Sequence, residues 1–310
     1  MPPETVKQPA SSVIRALMIR STPSCAPLGP RARPIHALVV LVMVGFAGST
    51  MAWSTLHDWA TVVSTQIKDR QPLPVLSAYG VALDMADAYE VQKLVVQGLA
   101  QRHKVAGYKA GLTRPKGQVR FDVREPVTGV VFRENILRGA PVLLRREFKQ
   151  LTIAPGLGYV LRTKLTAPLS DPDQTMAIIA AVLPVIDFSN FDFEHPETVM
   201  GTDLVAGNTA SARLLVGKPF RDSGPATFDG LLVELSREGT VVDRGRGVNV
   251  MGGQRQALFW LINRLLAQGW ELPAGTLLVT GGLSDPVQAE LGEYSAHFWD
   301  HGTLEFRIRP

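Results

Sequence analysis

The chain has 310 residues, a formal net charge of +4 and a hydrophobic fraction of 45%, enough for one large domain or two small ones with a full core. Much of the positive excess lies in the first third, and no dense Lys/Arg stripe interleaved with aromatics follows, so the charge does not read as a nucleic-acid surface. Cys25 is the single cysteine, which excludes an intrachain disulfide, and no zinc-type Cys/His spacing is present.

Residues 1–34 are rich in Pro, Ser, Ala and Arg without helical or strand period, and read as a disordered basic leader. Arg31 and Arg33 then precede the apolar run Ala37–Ala47, and small residues follow at Gly48, Ser49 and Ala52. Residues 35–53 thus have the layout of a secretory signal, which implies a periplasmic or secreted protein. The run falls short of the ~20 apolar residues of a membrane span, although extension from Ile35 to Trp53 reaches it, so an uncleaved inner-membrane anchor is the alternative. Met18 as the true start would give the leader a more usual length. Residues 54–310 read as one globular domain.

Within it, Leu56, Trp59, Ala60, Val63 and Ile67 predict a helix over 55–70, broken by Pro72 and Pro74. A second helix is expected from Asp84, as cap, to His103, with Met85, Ala88, Val91, Val95 and Leu99 inward. A buried strand follows, Val105 to Thr113, with Gly107 and Gly111 around Lys109. A lysine there either snorkels to solvent or requires a charged partner or ligand. Residues 114–126 look turn-like. Strands are expected at Val127–Phe132 and Ala140–Leu144, and a strand pair between Glu147 and Lys164 around Pro155-Gly156-Leu157-Gly158. A helix with an acidic start is expected at Asp173–Leu183, then an extended segment ending near Asp187. The second half predicts strands at Arg213–Val216, Leu231–Arg237, Thr240–Arg244 and Thr276–Gly281. A helix from Arg255 to Gln268 ends at Gly269, and a last strand pair spans 297–309. Helices early and strands late indicate an α+β fold.

Several stretches together resemble the 2-keto-4-pentenoate hydratase group of the fumarylacetoacetate hydrolase superfamily. They are Asp87-Ala88-Tyr89-Glu90-Val91-Gln92, Gly107-Tyr108-Lys109-Ala110-Gly111-Leu112-Thr113, Leu183-Pro184-Val185-Ile186-Asp187, Val205-Ala206-Gly207-Asn208-Thr209-Ala210-Ser211, Leu258-Phe259-Trp260-Leu261 and Pro273-Ala274-Gly275-Thr276 running into Thr280-Gly281. The resemblance covers residues 55–285. It implies a mixed β core of the fumarylacetoacetate hydrolase C-terminal type with flanking helices, often in a homo-oligomer. It also implies a Mg2+ or Mn2+ site that binds small 2-oxo or 2-hydroxy carboxylic acids. In such chemistry a hard cation chelates the substrate carboxylate and 2-oxygen and stabilises the developing enolate.

By that resemblance Lys109, Asp187 and Ser211 are the candidate catalytic residues, and Asn208, Thr280 and Gly281 the candidate substrate contacts. The two metal-ligating acids of the family pattern fall on Gly158 and Val160, which leaves Asp187 as the remaining ligand position. Further departures are Val127, Gly207 and Gln254 where the pattern has an acid, an acid and part of a Gly-His-Pro turn. Plainer roles are open for each candidate: a strand-end or turn carboxylate for Asp187, a cap for Ser211, a turn for Asn208, backbone satisfaction for Thr280. Two functions follow as expectations. The first is an exported hydro-lyase hydrating a 2-hydroxy-2,4-dienoate type of acid. The alternative is a pseudoenzyme on the same fold, acting at the envelope as a small-acid binding or structural protein. Acids converging on Lys109 would favour the first, an apolar site around Gly158 and Val160 the second. Arg244-Gly245-Arg246-Gly247 reads as a solvated basic turn, and His297 and His301 do not lie on a metal-binding helix.

Overall fold

Buried and exposed residues alternate along Thr303–Arg309, whereas Val127–Phe132 is buried throughout, so the strands differ in whether one face or both are covered. The computed structural model describes residues 56–100, 102–220 and 228–310. The expected leader at 1–34 and the signal or anchor segment at 35–53 lie outside the described residues. Helix α1 covers residues 56–69 and α2 covers Met85–Ala100. Asp84 caps α2: its Oδ1 accepts the Asp87 amide at 2.8 Å, which satisfies one donor left over in the first turn. The short helices α3 (Pro115–Arg120), α4 (Thr175–Ile178) and α5 (Gly201–Ala206) precede the long α6 (Gln254–Ala267). The strands are β1 (Val105–Gly111), β2 (Val127–Phe132), β3 (Ile136–Leu137), β4 (Val142–Leu144), β5 (Leu151–Leu161), β6 (Ile179–Asn190), β7 (Ser211–Val216), β8 (Leu232–Arg237), β9 (Thr240–Arg246), β10 (Leu277–Gly282), β11 (Val287–Gln288), β12 (Gly292–His297) and β13 (Thr303–Arg309). Among the described residues no helix is long and apolar enough to cross a membrane.

The larger sheet runs β2-β1-β10-β5-β6-β7-β3, with β11 added on β5, and the smaller runs β4-β13-β12-β8-β9. Parallel pairs (β1 with β10, β3 with β7) sit among antiparallel ones, so the fold is a mixed α+β one with a curled β core. One face of the large sheet gives Tyr108, Tyr159, Ile186, Phe188 and Leu278 to the main core. The buried stripes of α2 (Val91, Val95, Leu99) and α6 (Leu258, Leu261, Leu265) join the same core. The other face holds a separate apolar cluster that includes Leu183, Val185, Leu214, Leu277 and Val279.

The seam between β2 and the approach to β7 is closed by side chains. Asn208 Oδ1 accepts the Val130 amide at 2.7 Å, and its Nδ2 donates to the Val130 carbonyl at 3.0 Å. Thr209 Oγ1 donates to the Thr128 carbonyl at 2.8 Å. Asn208, Thr209 and Ala210 all have positive φ, a left-handed turn that Asn tolerates better than most residues.

Four expectations are corrected. The strand pair between Glu147 and Lys164 is one continuous strand, β5. Pro155 falls between the stretches that pair with β10 and with β11, where a missing ladder donor is tolerated. The helix expected over Asp173–Leu183 stops after the single turn of α4, because Ile179 onward pairs along the length of β5 and tertiary pairing overrides helix propensity. The turn-like stretch 114–126 contains α3, with Pro115 at its start. The last strand pair begins earlier, since Gly292 is already paired with Ile308.

Candidate functional site

The inner cluster is built row by row across the large sheet. Lys109 on β1 pairs with Gly129 on β2 and Val279 on β10. Val279 pairs with Gly158 on β5, and Gly158 with Leu183 on β6. Cross-strand partners share a face, so Lys109 projects to the same side as Val279 and Leu183. Along β6, Leu183, Val185, Asp187 and Ser189 share that face by the two-residue period.

Lys109 is 2% exposed. Its Nζ donates to Asp187 Oδ2 at 2.8 Å and Oδ1 at 3.0 Å, and to Ser189 Oγ at 3.2 Å. All three ammonium protons are thereby engaged, and the snorkelling alternative for Lys109 gives way to a buried, fully partnered ammonium. Asp187, with 20% of its side chain exposed, lends both oxygens to one cation. Ser189 was not among the sequence candidates; its signal was its place two residues after Asp187 on the same strand face. Ser211 pairs in register with Ser189 across β6 and β7, at the border of this cluster.

The other candidates lie in different surroundings. The Asn208 amide clamps β2, as described above. Thr280 is fully buried, and its Oγ1 donates to Gln254 Oε1 at 2.7 Å. The same oxygen accepts the Tyr159 hydroxyl at 3.0 Å, while Gln254 Nε2 donates to the Gly247 carbonyl at 2.7 Å. Burial pushes the Tyr159 hydroxyl well above its ordinary pKa. Gly281 has φ 117°, and a Cβ there would lie 2.7 Å from Thr113 Cγ2, so its backbone packs directly on that side chain.

The donor set does not fit a hard divalent cation. Magnesium is typically held by one or two carboxylates with waters and substrate oxygens completing the shell, and here Asp187 is already engaged with Lys109. Gly158 and Val160 offer no side-chain oxygen, and a Cβ on Gly158 would meet Leu277 Cδ1 and Val185 Cγ1 at 3.0 Å each. The position at which the family resemblance expects a carboxylate is thus flanked by hydrocarbon. Asp187, the remaining acid of the family pattern, is ion-paired with Lys109. Among the described residues no three His, Cys, Asp or Glu side chains gather as a metal-binding group.

Comparison with known proteins fits this architecture. The sequence profile "Fumarylacetoacetate (FAA) hydrolase C-terminal" matches residues 94–308. A 4-oxalocrotonate decarboxylase from Pseudomonas sp. (strain CF600) is 26% identical over 217 residues, 68% of this chain and 80% of the relative. A 2-keto-4-pentenoate hydratase from Burkholderia vietnamiensis (strain G4 / LMG 22486) is 27% identical over 205 residues, 65% of this chain and 77% of the relative. The solved 4-oxalocrotonate decarboxylase of Pseudomonas putida G7, complexed with magnesium and adipate, shares the fold with a TM-score of 0.76 at 22% identity, covering 83% of this chain and 98% of that one. On the extent of the profile match and the shared mixed β core, the chain belongs to the fumarylacetoacetate hydrolase family and is related to its 2-keto-4-pentenoate hydratase-type enzymes.

Proposed function

We propose that this chain is a metal-independent member of its family that does not hydrate dienoates, and that it serves as a small-acid binding or structural protein on the inherited fold. One observation carries this reading: Asp187, the acid that the family resemblance leaves as a ligand position, is neutralised by Lys109 at 2.8 Å, while the two positions at which that resemblance expects carboxylates hold Gly158 and Val160. A carboxylate already paired with an internal ammonium has little charge left to attract a second cation. The basic leader and the apolar run Ala37–Ala47 support export as part of the same reading.

A second reading, a hydro-lyase acting on a small 2-oxo or 2-hydroxy unsaturated acid, is favoured by the named activity of the hydratase relatives. The two separate in one assay. The purified full chain is mixed with 2-hydroxypenta-2,4-dienoate, with and without magnesium or manganese, and loss of the dienol absorbance is followed with product identification. The expected result is no enzyme-dependent loss under any condition. Metal-dependent hydration would falsify the proposal. Metal-independent turnover abolished by Lys109→Ala would restore an enzymatic reading with Lys109 at its centre.

A further inference from the structure

A cleft of about 280 Å³ opens where α2 passes the C-terminal end of α6, and none of the residues lining it belongs to the Lys109 cluster. Its polar groups are held in place from behind. The Tyr89 hydroxyl accepts the Thr128 amide at 3.0 Å, which leaves its own proton to donate. Burial raises the Tyr89 hydroxyl above its ordinary pKa. Thr128 Oγ1 donates to Gln268 Oε1 at 3.0 Å, and the buried Gln268 amide nitrogen lies against the Tyr89 hydroxyl. Two cations join them. Arg264 pairs on one edge with Glu125 and lies 5.8 Å from the centre of the Trp260 ring, with further N–H groups to offer. Lys93 also lines the cleft, three residues from Glu90 on α2. Trp270 adds a flat apolar wall, braced by the Tyr108 ring at 5.5 Å.

Donors therefore outnumber acceptors, and Glu90 is the one acid in the lining. A ligand matching this set is flat, rich in acceptors and anionic at one end. Lys93 and Arg264 attract that end, Glu90 repels it from its own side, and Trp270 receives the ring or conjugated chain. The volume is near the lower bound of ordinary small-molecule sites, which suits a compact acid. We propose that this cleft is a binding site for a small planar carboxylic acid, separate from the inner cluster. It does not depend on whether the inner cluster is catalytic.

The test uses the full chain in EDTA with benzoate as probe and benzamide as its neutral twin. Binding is read by calorimetry and by the tryptophan fluorescence of Trp270 and Trp260. Saturable benzoate binding is expected, with benzamide at least about tenfold weaker. Lys93→Gln is expected to weaken benzoate by about tenfold. Ala86→Phe, which fills the cleft from an exposed position on α2, is expected to abolish the signal. Circular dichroism confirms that each variant is folded. Absence of saturable binding up to about 10 mM overturns the proposal. Equal affinity for benzamide also overturns it, as does benzoate binding that both variants leave unchanged. Because no turnover is measured, failure here is distinguishable from failure of the metal-independent reading.

Discussion

Lys109 is a charge placed in a hydrocarbon interior, and its three hydrogen bonds make that tolerable. Removal of one partner leaves the other uncompensated, a loss of about 3–5 kcal/mol for a buried pair. Lys109→Met and Asp187→Leu are each expected to lower the urea midpoint by a corresponding amount. The double variant, which replaces both charges by apolar groups, should regain more than half of either loss. A double variant no more stable than the singles would reject the pair as the reason for the burial. A different rule governs Asp243. Desolvation, the largest cause, raises its pKa above the ordinary carboxylate value, against the opposing pull of the Ser284 hydroxyl and the Arg244 amide. A raised carboxyl contributes stability that is complete below the unfolded pKa and is lost as pH rises through the folded one. Asp243→Asn is therefore expected to stabilise the protein near neutrality. The gain stays below about 1 kcal/mol because the group is partly solvated, and it should vanish below about pH 4, where both states are protonated. Thermal melts at the two pH values check the sign. Lys109 was legible in the sequence because a lone lysine between glycines in an apolar strand demands an explanation. The buried Thr280–Gln254–Tyr159 network was not, since it joins residues from β10, α6 and β5 that no local pattern connects.

At the level of elements, what the chain shows openly is amphipathic period. The stripes of α2 and α6 were legible for that reason, while β1, β2 and β10 were legible as short, largely apolar runs that are buried. The segment 173–183 misled because its acidic start and apolar spacing favour a helix locally, whereas long-range pairing with β5 decides its state. Glycines record the same long-range constraint, and two of them give a paired prediction. A Cβ on Gly107 would lie 2.0 Å from the Leu277 carbonyl oxygen. That obstacle is backbone, fixed by the parallel pairing of β1 with β10. A Cβ on Gly158 would instead touch two methyl groups at 3.0 Å, which side chains relieve by small rotations. Gly158→Ala is expected to fold with a loss within the ~1–3 kcal/mol usual for overpacking. Gly107→Ala is expected to exceed that range and to accumulate as insoluble protein. Soluble yield and urea midpoints of the two variants test the ranking, and equal behaviour would reject it.

At the scale of the whole molecule, the family fold is retained with an ion pair in its interior. A divalent cation bound only by the folded state adds stability through mass action, about 2.7 kcal/mol at a hundredfold excess over its dissociation constant. For a domain of this size each kcal/mol moves the melting temperature by about 2–4 °C, so a functional metal site near its working concentration raises it by several degrees. In this chain Lys109 already supplies an internal positive charge to Asp187, and hydrocarbon from Leu277 and Val185 borders the position of the missing carboxylate. Stability is accordingly expected to be independent of magnesium and manganese. Melting temperatures measured in EDTA and in about 5 mM of either metal should agree to within about 1 °C. A rise of several degrees specific to one metal, absent in Asp187→Asn, would mean that Asp187 leaves Lys109 to bind the ion. The interior would then be a metal site closed by an exchangeable ion pair. Agreement in EDTA and metal, together with the expected loss in Lys109→Met, identifies the ammonium as the charge that completes this fold.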